Sequence, residues 1–564
     1  MPIFFALFIP MIMMPVLLIN FLIKFYRTRK LFYRYGYDRL YNYNKRNEAI
    51  KTQSTCVGCS LECNLNFYTE HGELKWIEPT LGYPVNKYFD CAYGLDMDKH
   101  KAGLGQNSLP MIKQGDGKLE PADWDTAISQ TAQKLLRIKE TYGVQSIAVK
   151  SIGRMTLEET ILLDNVCNFI GVSCDAHVDA SIEAYTQSFG YNAPPYTLGD
   201  IGQSEIIILI GFDPAMTHPN LWKRIEQSKL ADKKVLVIDT RDTETAKHAD
   251  WRHQVKEGTY LSLLYMLAKL LIDKDWIDTE YIEQYTEGFD EFKEFLADYT
   301  LDRAEADTGL SQDYILNLPT LFRRKPVSFW WSDEAVSGPD GARVAQAIIS
   351  LALMTGSIGR VGTGANYVPS DSRDLSAMNR VIEKIHAGKT KALWLIDNNR
   401  QSSWISDEAF KQAAEKLELF VVSNSYGVTD CGECCHVYLP IVPQIQNEGT
   451  YVNLERRLSA LNPVIPRGEG ELSGYEVILR MGQVLGMDSL DGWQTPHEAF
   501  NTFKAGTEGK PDDITGVSYN GSLMNSRGIQ WPFKEGDVLL SDERRLFEDG
   551  VYYTPSGKAK FMFE

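Results

Sequence analysis

The pattern of apolar and polar positions predicts alternating helices and strands over most of the chain. Apolar residues recur at helical spacing over residues 123–143, and Gly143 ends that pattern. Short β-branched runs follow at Ile147–Val149, Ile206–Ile210 and Val235–Ile238. Alternation of this kind is typical of a parallel sheet with ligands at the carboxyl ends of its strands. We therefore expect an α/β fold.

Two further stretches extend this pattern. Ala392–Ile396 and Leu419–Val422 have the composition of strands, and residues 407–417 between them have helical spacing. They predict a second α/β region. Near the other end of the chain, residues 65–79 alternate like two strands around a turn centred on glycine, which predicts a small β-rich unit.

The first 23 residues differ from everything that follows. Met1 to Ile23 carries no charged side chain and is long enough to cross a bilayer, which needs about 20 residues. Basic side chains crowd residues 24–51. The positive-inside rule then predicts a single-pass anchor over residues 1–30 in the inner (cytoplasmic) membrane, a basic juxtamembrane segment over 31–51, and a body in the cytoplasm. A cleaved signal peptide fits less well, because the positive charge follows the apolar run.

Composition narrows the class of protein. A net charge of −17 over 564 residues argues against nucleic acid as a partner, since phosphate contacts need clustered Lys and Arg. Nine cysteines are too few for a disulfide scaffold of this length, and they cluster in short runs. Clustered cysteines indicate metal chemistry.

Four of these cysteines have the spacing of a cluster site. Cys56, Cys59 and Cys63 share one short loop, and Cys91 follows after 27 further residues. Such thiolates suit a [4Fe–4S] cluster, whereas zinc, the main alternative, is more often held by two short C-x2-C knuckles. We expect a β-rich [4Fe–4S] domain over residues 52–108 with these four ligands.

The cysteine spacing C-x2-C-x3-C-x27-C, together with the stretch WDTA at residues 124–127, resembles the start of the molybdenum and tungsten bis-pterin oxidoreductases. Segments from GDIGQSEIIILIGFDPAMTHP to YYTPSGKAKF follow the order of that family. The family includes formate dehydrogenases, nitrate reductases and the large iron–sulfur subunit of respiratory complex I. The resemblance implies interleaved parallel-sheet α/β domains over residues 109–385 and 386–480, with residues 481–564 as a C-terminal extension that lacks the family's final domain.

The resemblance also implies a metal-bearing bis-pterin guanine dinucleotide at strand ends such as Gly211–Pro214 and Asp239–Arg241, although ordinary turns are the alternative there. His177 stands where the family's metal ligand is normally Cys, selenocysteine or Ser. It is either a ligand or a polar residue that fills the space of a lost cofactor. Tyr93 replaces a Lys or Arg between cluster and pterin, and Tyr260 replaces an Asp that grips a guanine.

Two hypotheses follow. In the first, the chain is a [4Fe–4S] electron-transfer subunit that works with other subunits of a membrane redox complex and has a degenerate pterin site. In the alternative it is an active molybdenum or tungsten enzyme of the formate dehydrogenase or nitrate reductase type, whose last domain comes from another chain. His177, His218 and Arg241 are then the candidates near the reaction.

A second cysteine group stands later in the chain. Cys431, Cys434 and Cys435, followed by His436, form a candidate second metal site, with buried thiols as the alternative. Adjacent cysteines do not easily ligate the same metal ion. Both interpretations remain open from the residues alone.

Overall fold

The computed structural model describes residues 49–95, 97, 109–172, 180–229, 232–323, 325–369, 375–398, 403–427, 434–488 and 490–563. The expected anchor over residues 1–30 and nearly all of the juxtamembrane segment therefore lie outside the described residues. Within the described ranges, no helix combines the length and the apolar character that a bilayer span requires.

The strands of the described residues are numbered in chain order. They are β1 Ile50–Thr55, β2 Asn64–Glu70, β3 Glu73–Pro79, β4 Met111–Lys113, β5 Leu119–Pro121, β6 Ile147–Ile152, β7 Ile206–Ile210, β8 Lys234–Asp239, β9 Trp251–Gln254, β10 Thr286–Glu287, β11 Val327–Ser332, β12 Gly364–Val368, β13 Ala392–Asp397, β14 Leu419–Asn424, β15 Val437–Pro440, β16 Gly449–Val452, β17 Arg457–Leu461, β18 Ile529–Gln530 and β19 Ala559–Lys560.

The α-helices are identified by their bounds. In the described residues they span Ala92–Leu95, Trp124–Tyr142, Leu157–Ile170, Ala180–Phe189, Pro214–Thr217, Pro219–Lys229, Glu244–Lys247, Tyr260–Asp273, Thr279–Tyr285, Phe289–Phe295, Leu301–Thr308, Gln312–Asn317, Asp333–Val336, Gly341–Met354, Leu375–His386, Glu408–Ala414, Gly474–Val484, Pro496–Ala505 and Ser522–Ser526.

The small β-rich unit is an antiparallel sheet in the order β1-β2-β3. The turn between β2 and β3 contains His71 and Gly72 at φ 52° and 79°, the left-handed conformation that a tight hairpin turn requires. This sheet confirms the predicted N-terminal β-rich unit.

A five-stranded parallel sheet, which we call sheet I, has the order β12-β11-β7-β8-β9. Every residue of β7 is buried, and its alternate side chains enter two different cores. Ile206, Ile208 and Ile210 pack with the helices Tyr260–Asp273 and Gly341–Met354. Ile207 and Leu209 face the helix Pro219–Lys229 and the β-rich unit. Sheet I is thus covered on both faces, as a parallel sheet requires.

A six-stranded sheet, sheet II, has the order β5-β4-β15-β14-β13-β6. Its strands β15, β14, β13 and β6 are parallel, and β4 runs antiparallel to β15. β6 pairs with β13 and not with β7 or β8. Grouping Ile147–Val149 with the strands at 206–210 and 235–238 was therefore wrong. Short apolar strands look alike in sequence, and only the distant pairing partner decides the sheet.

Along the chain, the strands of sheet I come after β4, β5 and β6 of sheet II and before its β13, β14 and β15. A boundary at residues 385/386 therefore does not separate the two sheets. Residues 490–563, within the expected extension, return to the core beneath sheet I. There β18 pairs with β17, and β19 pairs with β10. This region is an integral part of the fold.

Candidate functional site

The cysteine loop, residues 56–63, connects β1 to β2. Its ends are joined because Cys56 N–H donates to the Cys63 carbonyl over 2.7 Å. Inside the loop, Glu62 N–H donates to the Cys59 carbonyl over 3.1 Å. Glu62 has φ 54°, a left-handed turn that returns the chain toward Cys56. The loop therefore brings three thiols back toward one another.

Cys91 reaches this loop from the start of the helix Ala92–Leu95. A Cβ placed on Gly94 would lie 3.6 Å from Cys56 Sγ and 3.9 Å from Cys91 Sγ. Both sulfurs therefore lie beside the same glycine. A Cβ on Gly58 would overlap the ring of Tyr93, so that ring packs directly on the loop backbone.

The four thiols form a donor set that fits an iron–sulfur cluster. Cys56 and Cys63 are 5% exposed, and Cys59 and Cys91 are half-buried. Burial raises the pKa of the Cys63 thiol to about 12, so a bound cation must supply the charge that keeps it a thiolate. Among the described residues, no three His, Cys, Asp or Glu side chains are placed to share a single metal ion. The assignment of these four ligands remains a prediction.

A helix of sheet I holds the cysteine region in place through polar residues at helical spacing. Arg224 donates to the Pro84 and Val85 carbonyls over 2.6 and 2.5 Å. One turn earlier, Asn220 Nδ2 donates to Cys63 Sγ over 3.3 Å. Lys223 and Gln227 complete the row, with bonds to the segment around residues 88–90. The sequence analysis missed this row, although its i, i+3, i+4, i+7 spacing places the four residues on one face of the helix.

Two buried contacts tie the cysteine loop to the carboxyl ends of both large sheets. His218 Nε2 lies 2.8 Å from the hydroxyl of Ser60, which donates to the Pro369 carbonyl after β12. Glu62 forms an ion pair with Arg154, just beyond β6 in sheet II. Burial, reinforced by the nearby Arg154 charge, lowers the pKa of His218 to about 3. His218 is therefore neutral at physiological pH.

The polar groups after β8 bond to one another, and we call this group the β8 edge. Arg241 pairs with Asp239 and with Glu334, which follows β11. The backbone N–H of Thr240 donates to the Tyr260 hydroxyl over 3.2 Å. Burial raises the pKa of the Asp239 and Glu334 carboxyls, while the Arg241 charge opposes that rise. The Thr240 N–H and the Arg241 guanidinium at this strand end are therefore already bonded to other groups of the protein.

An open cavity of about 590 Å³ lies beside the β8 edge, lined by Thr240, Arg241, Gln254, Val255, Lys256, Glu257, Thr308 and Gly309. The resemblance implies a guanine dinucleotide at this strand end. Its phosphates would need cations and N–H donors that are not already shared. Arg241 is paired with two carboxylates, and Lys256 donates to the Ala306 carbonyl over 2.9 Å. Both cations that line this cavity are therefore already bonded to protein groups.

Two of the three candidate reaction residues lie within the described residues, and they have different contacts. His177 lies outside the described residues. His218 is fully buried and contacts Ser60 of the cysteine loop, while Arg241 is 53% exposed at the β8 edge. The contacts of the described residues join His218 to the cysteine loop and Arg241 to carboxylates, and do not bring the two together.

The second cysteine group is only partly described, because Cys431 lies outside the described residues. Cys434 and Cys435 are 9% and 0% exposed and belong to the apolar core of sheet II. His436 Nδ1 accepts a hydrogen bond from Phe420 N–H over 3.0 Å. Burial raises the pKa of the Cys434 thiol to about 11. A second metal site here stays a prediction.

Comparison with known proteins identifies the family. The model of the molybdopterin oxidoreductase Fe4S4 domain matches residues 50–102, and the molybdopterin oxidoreductase model matches residues 108–471, more than half of the chain. The chain belongs to the molybdopterin oxidoreductase family. The matching Fe4S4 domain supports a [4Fe–4S] cluster, and the molybdopterin domain is present.

Individual relatives agree with this assignment. The chain is 28% identical to the probable oxidoreductase YjgC of Bacillus subtilis strain 168, over 90% of this chain and 56% of that protein. It is 26% identical to a putative formate dehydrogenase of Staphylococcus aureus strain Mu50, over 92% of this chain and 56% of that protein. The chain thus spans about half the length of these relatives.

A solved structure shares the fold. Acetylene hydratase from Pelobacter acetylenicus matches with a TM-score of 0.72 at 16% identity, over 91% of this chain and 78% of that one. At this identity the likeness concerns the fold alone. It agrees with the parallel-sheet α/β architecture described above.

Proposed function

We propose that this chain is a membrane-anchored [4Fe–4S] electron-transfer subunit of a redox complex, built on a molybdopterin oxidoreductase fold with a degenerate pterin site. One observation carries the proposal. In the cysteine region a buried amide, that of Asn220, donates to the sulfur of Cys63, whereas the polar groups of the β8 edge bond to one another.

In this proposal Cys56, Cys59, Cys63 and Cys91 ligate the cluster. The iron–sulfur group supplies a one-electron carrier when it is bound. The chain's own residues exclude water from one side of it, where Cys56 and Cys63 are buried. The half-buried Cys59 and Cys91 leave the other side nearer to the surface, which favours exchange of electrons with a partner.

The degenerate pterin site is proposed from contacts at the positions that depart from the family. Tyr260 is 6% exposed, and its hydroxyl accepts a hydrogen bond from Thr240 N–H. At this position the resemblance implies a carboxylate that binds guanine. A phenol cannot accept two N–H donors as a carboxylate does. Tyr93 packs its ring on Gly58, where the resemblance implies a cation between cluster and pterin.

The membrane part of the proposal rests on sequence outside the described residues. The uncharged run from Met1 to Ile23 and the basic residues after it support a single-pass anchor in the inner membrane, with the body in the cytoplasm. The lipid bilayer and the other subunits of a redox complex are then the partners. Nucleic acid is not, given the net charge of −17.

A second candidate function is an active molybdenum or tungsten oxidoreductase. The cavity of about 590 Å³ beside the β8 edge favours it, because ligand pockets commonly have this size. Several relatives bear the name putative formate dehydrogenase, which makes formate the first substrate to test.

Elemental analysis of the native protein separates the two candidates. The chain should be purified anaerobically from its own membranes, and its iron, sulfide, zinc, molybdenum, tungsten and pterin measured. We expect about four irons per chain, with molybdenum and tungsten far below one per chain and no formate oxidation. Stoichiometric pterin with molybdenum or tungsten would establish the second candidate, and zinc in place of iron would refute the cluster.

The anchor needs a separate experiment. Membranes from cells that express the full chain, or the chain without residues 1–30, should be washed with alkaline carbonate. We expect the full chain to stay in the pellet and the shortened chain to be released. A reporter fused after Glu564 should be active only in the cytoplasm, and activity on the opposite side of the membrane would refute the proposed orientation.

A further inference from the structure

Asn220 is the polar residue of the helix Pro219–Lys229 that lies nearest to the sulfur atoms. It is 3% exposed, and its Nδ2 donates to Cys63 Sγ over 3.3 Å. The same nitrogen lies 3.5 Å from the Phe89 carbonyl oxygen. Arg224, one turn later, binds carbonyls of the cluster domain and so holds the helix against it. The side chain of Asn220 is therefore fixed by its surroundings.

The direction of the Asn220 amide follows from its neighbours. Cys63 Sγ and the Phe89 carbonyl are both acceptors, so the side of the amide that faces them must be the NH2 group. The opposite atom, Oδ1, is buried and has no hydrogen-bond partner among the described residues. A buried acceptor left without a donor costs stability, and an apolar residue of similar size would avoid that cost. Asn220 is thus poorly explained by packing alone.

We propose that Asn220 sets the reduction potential of the cluster through its N–H···S bond to Cys63. The inference rests on the proposed function, because it requires Cys63 to be a cluster ligand. Reduction adds negative charge that the thiolate ligands share. A hydrogen-bond donor on one of those sulfurs stabilises the reduced cluster more than the oxidised one and so raises the potential. Burial strengthens the effect, since water does not screen the bond. Asn220 is a positioning residue in this scheme and has no role in chemistry on a substrate.

The test measures the midpoint potential of the cluster in the full-length, cluster-loaded protein by EPR-monitored redox titration. Asn220→Leu removes the donor and keeps an apolar side chain of similar size. Asn220→Asp keeps the shape and removes both N–H donors. Ser228→Ala is the matched control, because Ser228 lies on the same helix, is buried, and donates to the Ile225 carbonyl away from the cluster. Iron and sulfide per chain are measured for every variant.

We expect both Asn220 variants to have a lower midpoint potential than the unmodified protein and the Ser228→Ala control to be unchanged. At a fixed potential the ratio of reduced to oxidised cluster should fall by about tenfold, which equals about 59 mV for one electron. Deuterium exchange should also remove a proton coupling from the pulsed EPR spectrum of the unmodified protein, and that coupling should be absent in Asn220→Leu.

The outcomes separate the inference from the proposed function. Full iron content with an unchanged or raised potential in both variants overturns the inference alone. Loss of the cluster in both variants also overturns it, because Asn220 would then serve assembly and not tuning. Absence of iron and of an EPR signal in the unmodified protein refutes the proposed function itself.

Discussion

The cysteine loop and the β8 edge lie at carboxyl ends of parallel strands, yet their polar groups are used in opposite ways. Around the cysteine loop, Asn220 is aimed at a sulfur, and Arg154 and His218 hold the loop from two sheets. At the β8 edge, Arg241 is neutralised by two carboxylates and the Thr240 N–H is taken by Tyr260.

Under the proposed function, the fold keeps one cofactor site while a second site has become degenerate. A cofactor site contains hydrogen-bond donors or acceptors that have no partner within the protein. These groups lower the stability of the fold until the cofactor binds. In a protein that no longer binds the cofactor, substitutions that give those groups hydrogen-bond partners within the protein increase stability. This contrast between the two regions supports the proposed function.

The largest effect is expected at the cysteine loop. Cys59→Ala removes one of four ligands and should abolish the cluster EPR signal and most of the bound iron. Cys435→Ala is the matched control, because Cys435 has no exposed surface and lies in the core of sheet II. Equal iron loss in both variants would mean that the later cysteines hold iron too.

The next effect concerns the ion pair that joins the cysteine loop to sheet II. Arg154→Met removes the positive charge that pairs with the Glu62 carboxylate, which is 1% exposed. Breaking a buried ion pair in this way costs about 3–5 kcal/mol, which urea denaturation of the solubilised protein should register.

A double variant tests whether this loss of stability comes from breaking the ion pair. Arg154→Met combined with Glu62→Gln removes both charges, so it should be more stable than Arg154→Met alone. If the two losses simply add, the ion pair does not carry the coupling between the loop and sheet II.

A third effect depends on pH and concerns Glu158, in the first turn of the helix Leu157–Ile170. Burial raises the pKa of the Glu158 carboxyl to about 7, and this carboxyl accepts a hydrogen bond from Thr450 N–H over 2.8 Å. The folded state then keeps a proton that the unfolded state has released. This contribution to the free energy of unfolding is therefore present at low pH and is lost as pH rises from 4.5 to about 7. The expected slope approaches about 1.4 kcal/mol per pH unit.

Glu158→Gln tests the predicted decrease of stability with rising pH. The variant keeps an acceptor for Thr450 N–H and cannot ionise, so it should lose the slope and be more stable than the unmodified protein above pH 7. Denaturation curves at pH 5, 6, 7 and 8 would measure this. A variant that is less stable at pH 8 would show that the carboxylate is favourably held when charged.

The smallest effect is expected at the β8 edge. Tyr260→Phe removes only the hydroxyl that accepts from Thr240 N–H, at a cost of about 0.5–1.5 kcal/mol. Iron content and the cluster potential should not change. Tyr260→Asp restores the carboxylate that the resemblance implies, and we expect it to bind no molybdenum, because Arg241 stays paired. Pterin and molybdenum gained by this single substitution would contradict a degenerate site.

Sequence patterns predicted individual elements well. The helix expected at 123–143 spans Trp124–Tyr142, where Asp123 caps the first turn and Gly143 leaves the helix at φ 85°. The strand expected at Ile206–Ile210 has those bounds. Such elements are encoded by the spacing of apolar residues and by local caps, which need no information from elsewhere in the chain.

The iron–sulfur domain, the alternation of strands and helices, and the family could be determined from the sequence alone, because each is encoded in residues a short distance apart. Tertiary structure decided that β6 joins β13, that His218 turns to the cysteine loop, and that Asn220 meets Cys63 across 157 positions. These contacts join parts of the chain that carry no shared local signal. They form only when buried surfaces pack together, and a polar side chain then takes whichever partner that packing leaves within reach.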